Sequence, residues 1–125
     1  MRKVAMEATE LRASLGEFIG TEQYYRHWSR ILVYTDGVKY LAENAGAFWL
    51  IDAIASWQPE ARKDPALREF QLWELFVYEN RSALLICLRD SDDEAFRQQI
   101  EFTDFPMDYV KLYVEGEVLL LPSEH

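Results

Sequence analysis

The chain has 125 residues and a formal net charge of −9, and half of its residues are apolar. These values predict a single domain over residues 1–125, with a core that needs neither disulfides nor a structural metal. The charge argues against direct binding to nucleic acid or to an anionic membrane, because phosphate groups repel an acidic surface. Residues 91–125 contain two basic and nine acidic side chains. The charge-matched partners are therefore basic protein surfaces or cations, and a protein with a basic surface is the predicted one.

The few cysteines and histidines exclude several kinds of site. Cys87 is the only cysteine, which excludes an intramolecular disulfide and a cysteine-built zinc site. His27 and His125 are too few for a typical histidine-built metal centre, so no metal or cofactor is predicted. No apolar run reaches the roughly 20 residues of a membrane helix, and Glu7 and Glu10 stand where a secretory signal needs apolar residues. We expect a cytoplasmic location.

The first predicted element is an N-terminal amphipathic helix that ends at Gly20. Its apolar positions follow the helical period: Leu11, Leu15, Phe18 and Ile19. Thr9 is a candidate for the N-cap, although a helix that starts further back, at Met6, fits the same pattern.

Residues 21–30, TEQYYRHWSR, form the one cationic and aromatic patch in this acidic chain. The β-branched and aromatic residues at 31–35 then predict a strand. Asp36 and Gly37 follow, and an Asp-Gly pair favours the positive φ angles of a type I′ turn. The sequence therefore predicts a β-hairpin whose second strand is residues 38–42.

Residues 46–57, GAFWLIDAIASW, are apolar almost all the way round a helix, and their only polar side chains are Asp52 and Ser56. A helix this apolar needs neighbours on most sides, which predicts a central helix against which a sheet packs. A carboxylate in such a helix has to be hydrogen-bonded or paired. Arg26 and Arg30 are the expected partners of Asp52.

The rest of the chain predicts mostly strands. The polar residues 58–69 predict a surface excursion with a helical turn after Pro65. Strands follow at residues 70–78, 83–89 and 97–103, and a second hairpin at 109–121 turns near Glu115 and Gly116. The predicted fold class is α+β: a largely antiparallel meander sheet packed on the central helix, plus the N-terminal helix.

Five phrases of the sequence stand out, and they cover most of residues 18–124: FIGTEQYYRHW, VYTDGVKYLAENAGAFWLIDAIASWQ, FQLWEL, EFTDFPMD and KLYVEGEVLLLPSE. In these phrases the chain resembles a family of small bacterial proteins of unknown function. The resemblance implies one intact domain. It implies no activity, cofactor or binding residue, because the family has none assigned.

The candidate binding residues are the aromatic patch and the carboxylate of the central helix: Tyr24, Tyr25, Arg26, His27, Trp28 and Asp52. One hypothesis is that Asp52 anchors the patch to the central helix or lines a small pocket beside it. The alternative is that Asp52 lies on a solvent-facing stripe with Ser56. Aromatic side chains flanked by arginines suit a protein-interface hot spot or a ligand pocket, and they also suit ordinary core packing.

The sequence predicts no catalytic residue. His27 would act as a general base if Asp36 or Asp52 fixed its tautomer and Ser29 or Ser56 lay nearby. Nothing in the spacing of these residues favours such a triad, so a structural role for His27 is the preferred interpretation.

Four carboxylates in residues 90–94, DSDDE, raise the hypothesis of a calcium loop. Glu101 stands at the twelfth position, where such a loop has a glutamate, but Ala95 stands where its sharp turn needs glycine. A solvated turn between strands is therefore preferred.

The leading functional prediction is a non-enzymatic domain that binds a protein partner, with homodimerisation through exposed strand edges as a further prediction. One alternative is a small-molecule binder or enzyme with a pocket around the candidate binding residues. Another is an acidic mimic of nucleic acid, which would present the carboxylates of residues 91–125 as a regular exposed row.

Overall fold

The computed structural model describes residues 7–125. The helices are α1 Ala8–Leu15, α2 Asp36–Ala45, α3 Phe48–Ser56, α4 Gln58–Ala61 and α5 Pro65–Glu69. The strands are β1 Tyr24–Arg26, β2 Val33–Thr35, β3 Phe70–Val77, β4 Ala83–Leu88, β5 Glu94–Ile100, β6 Tyr109–Glu115 and β7 Val118–Leu120. A 3-10 turn, Pro122–Glu124, follows β7. The predicted α+β class is confirmed.

The strands form one sheet in the order β1-β2-β7-β6-β3-β4-β5. Strands β3, β4 and β5 form an antiparallel meander, and β6 returns to pair with the other side of β3. The prediction of a largely antiparallel sheet is confirmed, but the sheet is not a simple meander, because β6 pairs with β3 rather than with β5 and β2 runs parallel to β7. The parallel pair joins the N-terminal β1-β2 hairpin to the C-terminal β6-β7 hairpin.

The core lies between the helices and one face of the sheet. In α3, Leu50 and Ile54 are 1% and 0% exposed, which agrees with the predicted central helix. Side chains of β3 alternate between buried and half-buried, as the pleat of a strand requires. The half-buried positions form an outer sheet face outside the main core cluster, and they include Phe70, Leu72, Phe76, Leu84, Ile86, Tyr109 and Tyr113.

A network of buried amides also joins the helices to the sheet. Gln58 and Gln71 exchange two hydrogen bonds of 2.9 Å, and the Trp73 indole donates to Gln71 at 2.8 Å.

Three predictions in the first half of the chain need correction. Helix α1 ends at Leu15 rather than at Gly20, and its N-cap is Glu7 rather than Thr9; the proposed start at Met6 lies outside the described residues. The helical turn predicted after Pro65 is confirmed as α5, but residues 58–61 form a further helix, α4, in which Gln58 is fully buried. The polar sequence did not indicate this helix, because the buried Gln58 side chain is satisfied by hydrogen bonds rather than by apolar contacts.

The hairpin predicted at Asp36 and Gly37 is wrong, because these residues begin helix α2. The hydroxyl of Thr35 accepts the backbone N–H of Val38 at 3.3 Å, as an N-cap residue does. The carboxylate of Glu124 accepts the Gly37 N–H at 3.0 Å and the Thr35 hydroxyl at 2.6 Å. A distant carboxylate thus supplies acceptors at the positive end of α2.

We predict that Glu124→Ala lowers the free energy of unfolding by about 1–2 kcal/mol, because the start of α2 loses the acceptor for its Gly37 N–H. Glu117→Ala is the matched control, since Glu117 is exposed and its side chain makes no hydrogen bond to a described residue. Urea unfolding followed by circular dichroism measures both variants. Equal stabilities would show that Glu124 does not support the helix.

Candidate functional site

The candidate site is built on the turn that connects β1 to β2. The His27 N–H donates to the Leu32 carbonyl at 3.0 Å, and the Arg30 N–H donates to the His27 carbonyl at 2.9 Å. Arg30 has a positive φ of 67°. The side chain of Arg62, at the end of α4, donates to the Ile31 carbonyl. These bonds hold the turn beside α3.

The His27 imidazole is buried, with 5% exposure, and both of its nitrogens are bonded. Nε2 lies 2.7 Å from Oδ1 of Asp52, while Nδ1 lies 2.7 Å from Oγ of Ser29 and 3.1 Å from its backbone nitrogen. A carboxylate only accepts hydrogen bonds, so Nε2 carries the proton, and the Ser29 N–H requires Nδ1 to be an acceptor. This pattern assigns one neutral tautomer to His27.

Asp52 makes a second contact with the same turn, because its Oδ1 also accepts the indole N–H of Trp28 at 3.0 Å. The expected pairing of Asp52 with Arg26 or Arg30 is wrong: Nη1 of Arg26 donates instead to the Arg30 carbonyl at 3.2 Å. The side chain of Asp52 remains 52% exposed. Its second oxygen, Oδ2, has no hydrogen bond to any side chain or backbone group in residues 7–125.

A shallow depression of about 340 Å³ opens at this contact, and we call it the Trp28 depression. Its lining comprises Arg26, His27, Trp28, Tyr34, Phe48, Ile51 and Asp52. Two of these aromatic side chains are exposed, Trp28 by 79% and Phe48 by 47%. Partial burial raises the pKa of the Tyr34 hydroxyl, and the negative charges of Glu43 and Asp52 raise it further. The depression therefore has aromatic walls and one carboxylate, that of Asp52, in its lining.

The structure brings together only some of the predicted site residues. Arg26, His27 and Trp28 line the depression with Asp52, whereas Tyr24 and Tyr25 do not. Tyr24 is 60% exposed on β1. The Tyr25 hydroxyl donates to the Asp36 carboxylate at 2.8 Å, and its ring lies 4.4 Å from Nζ of Lys39.

Sequence reasoning missed three residues that line the depression, namely Tyr34, Phe48 and Ile51. A signal existed for one of them, since Phe48 precedes Asp52 by four residues and therefore lies next to it on the helix surface. No local signal placed Tyr34 there, because it belongs to another strand.

The contacts of Ser29, His27 and Asp52 resemble a catalytic triad in composition. Three backbone donors of this turn are occupied within the turn itself: Ser29 N–H by Nδ1 of His27, Arg30 N–H by the His27 carbonyl, and Ile31 N–H by Oγ of Ser29 at 3.3 Å. Acyl transfer needs free donors for the developing oxyanion. These three N–H groups therefore serve the turn and not an oxyanion.

The other groups considered as reactive are the potential metal ligands and the thiol of Cys87. Within residues 7–125, no three His, Cys, Asp or Glu side chains lie close enough together to hold a metal ion. Cys87 is fully buried, and its burial raises the pKa of the thiol to about 12. Its thiol is consequently a poor nucleophile at neutral pH. No helix within residues 7–125 has the length and apolar character to cross a membrane.

We predict that Asp52→Ala lowers the free energy of unfolding by about 1 kcal/mol, because the buried Nε2–H of His27 loses its acceptor. Ser56→Ala, one turn further along α3, is the control; its exposed hydroxyl bonds only to the Ala53 carbonyl of the same helix. Thermal and urea unfolding measure the two variants. If both variants had the melting temperature and the unfolding free energy of the wild type, Asp52 would have no anchoring role.

A second prediction concerns acid stability. The Asp36 carboxylate accepts hydrogen bonds that lower its pKa below the usual value. The largest effect comes from the backbone N–H of Glu22, and the Tyr25 hydroxyl lowers the pKa further. A carboxyl with a lowered folded pKa stabilises the fold above its unfolded pKa of about 3.9, and this contribution is lost as the pH falls through the folded value. We therefore expect the free energy of unfolding, measured with urea between pH 7 and pH 2.5, to fall less steeply with decreasing pH in Asp36→Asn than in the wild type. Glu117→Gln should keep the wild-type slope, and equal slopes in all three proteins would contradict the prediction.

Comparison with known proteins gives one match. No curated protein and no solved structure matches the chain. A family model matches residues 9–125, and its description is a family of unknown function (DUF6876). The match covers almost the whole chain, which agrees with the resemblance found in the sequence phrases. The chain belongs to this family of unknown function.

Proposed function

We propose that this chain is a non-enzymatic interaction domain that binds a protein partner with a basic surface at the Trp28 depression. One observation carries the proposal: the Trp28 side chain is 79% exposed, yet its indole N–H is fixed by Asp52. An exposed tryptophan held in one orientation loses little conformational entropy on binding, and tryptophan is the residue type most enriched in interface hot spots. Phe48 extends the same apolar surface.

The charge of the chain supports the choice of partner. A net charge of −9 attracts basic proteins and speeds their association. The exposed carboxylate of Asp52 supplies a negative group inside the aromatic surface itself. Aromatic anchors beside a complementary charge are a frequent combination in protein interfaces.

The two alternative functions receive less support. An acyl-transfer enzyme built on Ser29, His27 and Asp52 would need free donors for an oxyanion, and the N–H groups of Ser29, Arg30 and Ile31 are already hydrogen-bonded within the turn. A nucleic-acid mimic would need a free row of carboxylates, but at least five of the nine in residues 91–125 have partners within the chain. These are Asp93 with Arg89, Glu94 with Arg97, Asp108 with Arg12, Glu115 with His125, and Glu124 at α2.

Homodimerisation stays a prediction, and the outer sheet face is a better candidate for it than the strand edges. The edge strand β1 has only three residues, and the other edge, β5, carries charged side chains that disfavour strand pairing. The outer face combines its apolar side chains with one acid and one base at its centre, Glu74 and Lys111, which are direct cross-strand neighbours.

The test is affinity capture from nuclease-treated lysate at low and at high salt, with mass spectrometry of the retained proteins. We expect a basic protein that is retained at low salt, released at high salt, and lost when Trp28→Ser is the bait. Phe102→Ser is the control bait, because Phe102 is 71% exposed and lies outside the depression. Retention of the same proteins by Trp28→Ser would overturn the proposal.

A further inference from the structure

We propose that the Trp28 depression is a receptor for an organic cation, namely the ammonium or guanidinium group of a partner's lysine or arginine side chain. This inference rests on the proposed function and specifies the chemical group that the site recognises. It is carried by the aromatic walls and by the unshared carboxylate oxygen.

The aromatic walls come from three different elements. Trp28 lies in the β1-β2 turn, Tyr34 in β2 and Phe48 at the start of α3. The Trp28 ring packs against His27 with centroids 5.0 Å apart, and its 79% exposure leaves most of the indole open to solvent. Aromatic faces carry negative partial charge and attract ammonium and guanidinium groups within about 6 Å, tryptophan most strongly. Anions are repelled by the same faces.

The carboxylate of Asp52 divides its two oxygens between structure and solvent. Oδ1 accepts from Nε2 of His27 and from Nε1 of Trp28, which fixes the carboxylate beside the indole. Oδ2 has no hydrogen bond to a described residue and lies on a side chain that is half exposed. A fixed, charged acceptor next to aromatic rings can neutralise a cation with little loss of its own freedom.

Arg26 is the one positive group in the lining, and substituting it tests whether the ligand is a cation or an anion. Its guanidinium donates to the Arg30 carbonyl and makes no ion pair with Asp52, so the carboxylate keeps its charge for a ligand. If the depression takes a cation, Arg26 opposes binding by repulsion. If it takes an anion, Arg26 is the main attraction.

The experiment is a titration followed by ¹H–¹⁵N NMR of the tryptophan indole N–H signals. Choline is the probe, and 3,3-dimethylbutan-1-ol, in which an uncharged carbon replaces the ammonium nitrogen, is the matched neutral control. We expect choline to shift the Trp28 indole signal with a dissociation constant on the order of millimolar, and the alcohol to bind at least about threefold more weakly. The Trp28 signal is assigned by its loss in Trp28→Phe.

Three variants separate the contributions. Asp52→Asn keeps an oxygen acceptor for His27 but removes the charge, and Phe48→Leu keeps an apolar wall but removes the ring; each should weaken choline binding by about threefold or more. Arg26→Gln should strengthen it by about twofold, because a like charge is removed. Phe102→Leu, outside the depression, should leave it unchanged.

Two results would overturn the inference: equal binding of choline and the alcohol, or weaker binding in Arg26→Gln. A Trp28-dependent protein partner captured in the absence of choline binding would keep the proposed function and reject the cation. If both choline binding and Trp28-dependent capture failed, both proposals would fall.

Discussion

The carboxylate of Glu124 is the contact on which the junction between the C-terminal residues and the start of α2 depends. It accepts hydrogen bonds from the Thr35 hydroxyl, the Gly37 N–H and the Leu121 N–H, and so joins the last residues of the chain to the first turn of α2. A helix start is electropositive and has unsatisfied N–H groups, which makes it a favourable place for a carboxylate. The parallel pairing of β2 with β7 lies directly beside this junction. Together they fix the β1-β2 hairpin, and with it the turn that carries the candidate site.

Helix α3 supplies the second half of the site, and its packing sets the position of Asp52. Its apolar side chains Leu50, Ile51, Ile54 and Ala55 are buried, and the amides of Gln58 and Gln71 bind the residues that follow α3 to β3. A buried amide pair with all its groups satisfied favours one arrangement of the packed elements over others. Asp52 is therefore presented to solvent from a helix whose other side is packed in the core.

The same residue has a structural and a recognition role in our interpretation. One oxygen of Asp52 holds His27 and Trp28, and the other has no hydrogen bond to a described residue. A substitution at Asp52 will consequently change both stability and any binding. For that reason Phe48 and Arg26, which line the depression without holding the turn to α3, are the cleaner positions for separating binding from folding.

The sequence by itself determined the α+β class, the central helix and the main strands, because these follow from the period of apolar residues over many positions. It also singled out Asp52 and the segment from Tyr24 to Trp28, since a carboxylate in an apolar helix and an aromatic cationic patch are both unusual in composition; Tyr24 and Tyr25 in that segment lie outside the depression. Only the tertiary structure decided that Asp36 and Gly37 start a helix, because the carboxylate that stabilises this start lies 87 residues away. Likewise, the partners of Asp52 are His27 and Trp28 rather than an arginine, since side-chain geometry across elements, and not charge alone, selects which donors reach an acceptor.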